Sequence, residues 1–316
     1  MALRNSLFAV SGKASFLDAR RDMSGLFVCD KTTMMPIAGI LDRSQDNLVT
    51  GNSNSMSVTV HPFNAVLNRY GALLIQNDGN VNVPLNAAPS ANSRIDVVYV
   101  KQNETRSPMS DSSNVPEFGV VKGAAAAVPV APAVPAGALA LAQVLLPAGV
   151  SNTSAAGVVI TQTYIGAAMK GDMLRVQTSA QRDDMTMVPD GTLLHNVADN
   201  CDYVRKDDKW RGWNMPWRDI RLGSNTAHMF ASGGVAHINL LTTAVNLTGW
   251  GSEVSVAQVS NSSFYPAVAE GFYACTRDSY YPTTLSVLTN GNVKVGYAGG
   301  PTGNRVVSSI LTYNVG

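Results

Sequence analysis

Around Asn290-Gly291 the chain alternates in both directions: Leu285, Val287 and Thr289 lead up to the pair, and Val293, Val295 and Tyr297 lead away from it. Asn-Gly accepts the positive φ angles of a two-residue turn, and a side-chain period of two is that of a strand. Together they admit a β-hairpin and exclude a helix, whose apolar residues recur every three or four positions. The same period marks Met56, Val58 and Val60, which alternate with Ser57, Thr59 and His61. Short strand patterns also stand at Ser24 to Cys29, Pro36 to Leu41, Phe63 to Asn68, Gly71 to Ile75, Val235 to Leu240, Val254 to Val259, Phe272 to Cys275 and Ser308 to Tyr313. Turn-forming residues separate them, so the expected fold class is all-β. A chain of 316 residues exceeds one core, since cores divide into units of roughly 100 to 200 residues.

Arg94 to Val100 is a nearly continuous apolar run of strand length, which implies a strand covered on both faces. A polar loop from Gln102 to Asn114 leads to Phe118-Gly119-Val120-Val121-Lys122-Gly123. The next stretch, Ala124 to Ala136, carries Pro129, Pro132 and Pro135 at every third position, the spacing of a polyproline II path with one proline edge. Leu139 to Gly149 then alternates small and large residues as a strand does. This order, R-I-D-V-V-Y-V, loop, V-V-K-G, an Ala/Val/Pro run, A-L-A-L-A-Q-V-L-L-P-A-G and a closing V-V-I-T, resembles the N-terminal attachment domain of siphophage baseplate and minor tail proteins. The resemblance spans Ala2 to Tyr164. It implies a β-sandwich that docks a receptor-binding protein onto a phage tail around a threefold axis.

A second resemblance lies between Ser179 and Trp213. Val188-Pro189-Asp190-Gly191-Thr192, Asp202-Tyr203-Val204-Arg205 and Lys209-Trp210-Arg211-Gly212-Trp213 are similar to a small β-unit of tail fibres. Pro-Asp-Gly is a turn signal, and a Trp can close a minimal core. The expected organisation is an attachment domain over 1–165, a connector over 166–217 and a C-terminal β-sandwich head over 218–316.

Composition narrows the chemistry. Charged residues make up 14% of the chain, against about 25% in ordinary soluble domains, so neighbours are expected to cover part of its surface. With 23 basic and 22 acidic side chains it has no field to hold nucleic acid or an anionic membrane. The apolar run Gly123 to Ala142 contains three prolines and is not read as a membrane helix. Met1 to Phe8 does not read as a signal peptide, and Cys29, Cys201 and Cys275 have no zinc or redox spacing, as in a chain made in a reducing cytoplasm.

No catalytic, cofactor or metal site is expected. His61, His195, His228 and His237 form no metal motif, and His237 reads as a hydrogen-bonded sheet residue. The Gly-rich stretch Gly296 to Gly303 lacks a G-K-[ST] ending and reads as a loop between strands. Aromatic residues are the better lead, because their faces stack on sugar C–H groups while Asp holds hydroxyls. Trp250, Asp278, Tyr280 and Tyr281 are the candidate carbohydrate-binding set. Trp210, Trp213 and Trp217 read instead as closing the connector's core or a subunit interface.

The expectation is a non-enzymatic virion protein of the phage tail tip, made in the host cytoplasm. It would assemble as a homotrimer, contact other tail-tip proteins and bind a host cell-wall saccharide. A purely structural hub protein and a cell-wall glycan depolymerase are the alternatives.

Overall fold

The computed structural model describes residues 15–41, 47–222, 225–241, 245–276 and 280–316. It is nearly all β and divides into two compact units, residues 1–181 with 187–192, and 182–186 with 193–316. The expected connector is therefore shared between them, and Arg218, the expected start of the head, lies inside one continuous strand.

The first unit opens with helix α1 (Phe16–Ser24). The strands that follow are β1 (Gly39–Ile40), β2 (Val49–Gly51), β3 (Ser57–Val60), β4 (Phe63–Asn68), β5 (Ala72–Asn77), β6 (Val81–Pro84), β7 (Arg94–Gln102), β8 (Pro116–Val121), β9 (Leu139–Leu146), β10 (Val159–Gln162) and β11 (Met173–Val176). Three sheets, in the orders β1-β4-β5, β2-β3-β6 and β10-β9-β7-β8, contribute to one core that includes Ile40, Val58, Phe63, Leu67, Val98, Leu141 and Leu146. Val97 and Val98 are consecutive and both buried, so β7 is covered on both faces as its apolar run implies.

Two buried charges stand at the start of β7. Arg94 and Asp96 are i and i+2 and so project from the same face of the strand. Arg94 Nε donates to Asp96 Oδ1 at 2.9 Å, and Nη2 donates to Oδ2 at 3.0 Å. The carbonyls of Ala87 and Asn86 accept from the same guanidinium, and the Gly123 N–H donates to Asp96 Oδ1.

The opening segment corrects one expectation. Ser24 ends a helix, and Phe27 and Cys29 make only single bridges, to Met169 and Pro36, so Ser24 to Cys29 is not a strand. A capping box starts the helix: Asp18 N–H donates to Ser15 Oγ, and Ser15 N–H donates back to Asp18. That local satisfaction of end groups outweighs the absence of a long apolar period. Pro36 to Leu41 likewise contracts to the two residues of β1.

The second unit contains β12 (Leu193–Asn196), β13 (Cys201–Lys206), β14 (Lys209–Leu222), β15 (Asn225–Ser232), β16 (Val235–Leu241), β17 (Val245–Leu247), β18 (Glu253–Gln258), β19 (Glu270–Cys275), β20 (Pro282–Val287), β21 (Asn292–Tyr297), β22 (Gly303–Arg305) and β23 (Ser308–Asn314). Strands β12-β13-β14-β15-β16-β23 lie side by side in that order, β18-β21-β20-β19 form a four-stranded sheet, and β17 pairs with β22. The Asn290-Gly291 hairpin forms, with Val287 facing Val293 and Thr283 facing Tyr297, but its turn is longer than two residues. Leu288 N–H donates to the Asn292 carbonyl, Gly291 N–H donates to the Leu288 carbonyl, and Gly291 alone of the pair takes a positive φ.

Phe264 anchors this unit from a single 3-10 turn, Ser262–Phe264, capped by Asn261. Its ring lies 5.9 Å from that of Tyr203 and beneath Gly212, where a Cβ would come within 2.4 Å of it. Glycine is required there by packing. The Tyr313 hydroxyl donates to the Phe264 carbonyl at 2.9 Å, and Asn261 Nδ2 donates to the Tyr203 hydroxyl at 2.7 Å. These two buried tyrosine hydroxyls thus find partners inside the core.

Candidate functional site

Two of the candidate aromatic residues, Trp250 and Tyr281, belong to one cluster in the second unit. Trp250 sits between Gly249 and Gly251, both at positive φ, on the turn that joins β17 to β18. A turn this tight leaves the indole no core to enter, and Trp250 is 82% exposed. Its ring meets Tyr297 edge to face, with centroids 5.8 Å apart. Tyr297 ends β21, its N–H donates to the Ser252 carbonyl, and its hydroxyl donates to the Gly300 carbonyl.

Arg305 occupies the centre. It ends β22 and pairs with Val245 of β17, which carries its side chain inward beneath two rings. The guanidinium carbon lies 5.0 Å from the Tyr281 centroid and 5.1 Å from that of Tyr297. Nη1 donates to the Gly299 carbonyl at 2.8 Å, whereas Nη2 is buried without a hydrogen-bond partner. Arg305 is 4% exposed, and no carboxylate among the described residues forms an ion pair with it. Cation–π attraction to two rings replaces part of the lost hydration of a guanidinium.

Tyr281 holds its place through its N–H, which donates to Thr276 Oγ1 at 2.9 Å. Its ring packs against Gly300, where a Cβ would lie 2.5 Å away, so the Gly-rich loop can approach only because it has no side chain there. Tyr280 is a neighbour in sequence but separate in contact, 81% exposed and in the left-handed region at φ 53°. Asp278 lies outside the described residues. The structure thus joins Trp250 and Tyr281 through Tyr297 and Arg305, neither of which belonged to the expected set.

Both omissions have a cause. Tyr297 reads as one more alternating residue of the hairpin, although the register that puts Thr283 opposite Tyr297 already brings the Tyr281 end of β20 beside it. Arg305 stands alone among turn residues, and only the β17–β22 pairing carries it under the rings.

A second aromatic row crosses β14, β15 and β16. Trp217 lies 4.6 Å from Phe230, which stacks on His237 at 4.5 Å with 14° between planes. His237 Nδ1 is 3.1 Å from Thr312 Oγ1, the hydrogen-bonded sheet position expected of it. Trp210 is buried and Trp217 is exposed, so the tryptophans of β14 divide between core and surface.

Chemically, the Trp250–Tyr297–Arg305–Tyr281 cluster offers flat apolar faces for stacking, held by a buried guanidinium. Those are the elements of a polar-ring binding site. No protein-family model matches this chain, and no curated protein matches it above the level of chance.

Proposed function

We propose that the chain is a structural protein of a phage tail tip, a homotrimer that attaches through its N-terminal half and binds a host cell-surface saccharide through its second unit. The observation that carries the saccharide reading is the exposed Trp250 ring set against Tyr297, whose ring and that of Tyr281 are backed by Arg305. An exposed tryptophan on a rigid turn contributes contact area with little conformational entropy to lose. The strand order from Arg94 to Thr161 and its resemblance to attachment domains support the tail reading. Val128 and Val130 on the proline-rich stretch are exposed, which suits a surface that other tail proteins cover. Three such sites on one axis bind a repetitive polymer through avidity, without requiring strong single contacts.

The test uses the full-length protein, labelled and applied to a panel of bacterial cells and to their extracted wall polysaccharides, with its mass measured by light scattering. A trimer that binds cells, and a Trp250→Ala/Tyr281→Ala variant that stays folded but no longer binds, support the reading. A trimer that binds no cells moves the chain to the structural hub class, which the Trp217–Phe230–His237 row also suits as a subunit contact. Release of soluble sugar from the polymer would make it a depolymerase.

A further inference from the structure

A cavity of about 480 Å³ opens in the first unit, independent of the aromatic cluster just described. Its size lies within the roughly 300–1,000 Å³ of small-ligand sites. Arg69 and Tyr70, on the turn between β4 and β5, form part of its wall, and Lys101 of β7 and Asp111 of the following loop form another part. Met35 and Met109 supply apolar surface.

Charge in this wall does not balance. Arg69 and Lys101 both line the cavity and both pair with Asp111, the one carboxylate among the lining residues, while behind the wall Arg20 and Arg69 share Glu104. Donors are also left over. Lys101 Nζ has three N–H groups and donates to Asp111 Oδ1 at 2.6 Å, whereas Arg69 is engaged through Nη1 with the Ala136 carbonyl, through Nη2 with Asp111 and through Nε, which faces Glu104 at 3.7 Å. Arg69 is more than nine-tenths buried, so its charge is held at the wall by the fold and does not wave in solvent. A wall with a surplus cation and unused ammonium donors favours an anionic oxygen.

Tyr70 is the independent observation. It lines the same cavity in the left-handed region, at φ 61°, with its side chain about half exposed. A non-glycine residue held there costs about 1–3 kcal/mol, and such strain collects at ligand sites. Glycine or asparagine would sit on this turn more easily. An aromatic ring kept in the costly conformation beside a positive wall has the form of a platform for the ligand's body.

We propose that this cavity binds a small organic oxyanion, a carboxylate or a phosphate ester carried on a ring-sized body. Lys101 holds the anionic oxygens beside the charge of Arg69, Asp111 orients the lysine, and the Tyr70 ring and Met35 cover the apolar face.

The test is calorimetric titration of the full-length protein at low salt with glucuronate, glucose 6-phosphate and neutral glucose. The two acids should bind at least tenfold more tightly than glucose, and binding should weaken as salt is raised. Binding of glucuronate alone identifies a carboxylate site, of glucose 6-phosphate alone a phosphate site, and of both a general oxyanion site. Lys101→Met should lower affinity at least tenfold. Because that change also touches the salt-bridge network, Tyr70→Gly is the decisive variant: it lies outside the network, should melt at the same or a higher temperature, and should still lose at least tenfold in affinity. Glucose binding as tightly as the acids, no binding by either acid, or a Tyr70→Gly protein that binds like the parent would each overturn the proposal. The titrations are made in the Trp250→Ala/Tyr281→Ala background, so that none of these outcomes depends on the saccharide site of the second unit.

Discussion

Replacing Asp96 by alanine tests whether the Arg94–Asp96 pair is the buried, fully bonded unit that its geometry describes. Both side chains are within the core, at 2% and 0% exposure, and Asp96 accepts from two nitrogens of Arg94 and from the Gly123 N–H. The substitution strands a guanidinium whose only remaining partners among the described residues are the Ala87 and Asn86 carbonyls. Breaking a buried ion pair from one side costs about 3–5 kcal/mol. The orphaned Gly123 N–H adds about 1–3 kcal/mol, so a loss of at least about 4 kcal/mol is expected. Urea unfolding of the full chain, followed by circular dichroism and fluorescence, measures it, and the loss should fall on the first unit's transition. Arg94→Ala/Asp96→Ala should lose less than the sum of the two single changes, because the pair is coupled. A single-mutant loss below about 1 kcal/mol would falsify the picture, since it would mean that water or a rearranged loop reaches the guanidinium freely.

Three further outcomes follow from the packing. Gly212→Ala places a Cβ against the Phe264 ring and should destabilise the second unit by about 1–3 kcal/mol in thermal unfolding, with most of the penalty removed in a Phe264→Leu background. Asp111 is held down to about 2 from the ordinary carboxylate value, first by the hydrogen bond from Lys101 and then by the Glu104 N–H and Arg69. A depressed folded-state value stabilises fully above the unfolded pKa near 4 and loses that contribution as pH falls towards 2, so Asp111→Asn should flatten the first unit's acid-unfolding curve in that window. Burial pushes the Cys201 thiol up to about 11, so iodoacetamide at pH 8 should leave it unmodified by peptide mass mapping until the second unit unfolds.

The sequence by itself determined the strands that carry a clear local pattern, an alternation or a continuous apolar run, whereas Ser24 to Cys29, which has neither over a strand's length, is not one. The hairpin at Asn290-Gly291, the two-face burial of β7 and the β9 strand were all legible from residues within a few positions of one another. Even the Arg94–Asp96 pair is foreshadowed by its i, i+2 spacing on a strand, although not its burial. Helix α1 was missed because its signal is a Ser15–Asp18 cap and not an apolar period.

Tertiary structure alone decided which sites exist. Trp250, Tyr281, Tyr297 and Arg305 come from four separate stretches of chain, and β17–β22 pairing brings the arginine under the rings. Arg69, Tyr70, Lys101 and Asp111 meet because the turn after β4 faces the loop after β7, a contact that no local pattern encodes. Alternation says which side of a strand is apolar, but it is silent on which strand comes next to it. The partner of each buried charge is set by that choice, and so is the chemistry of each cavity.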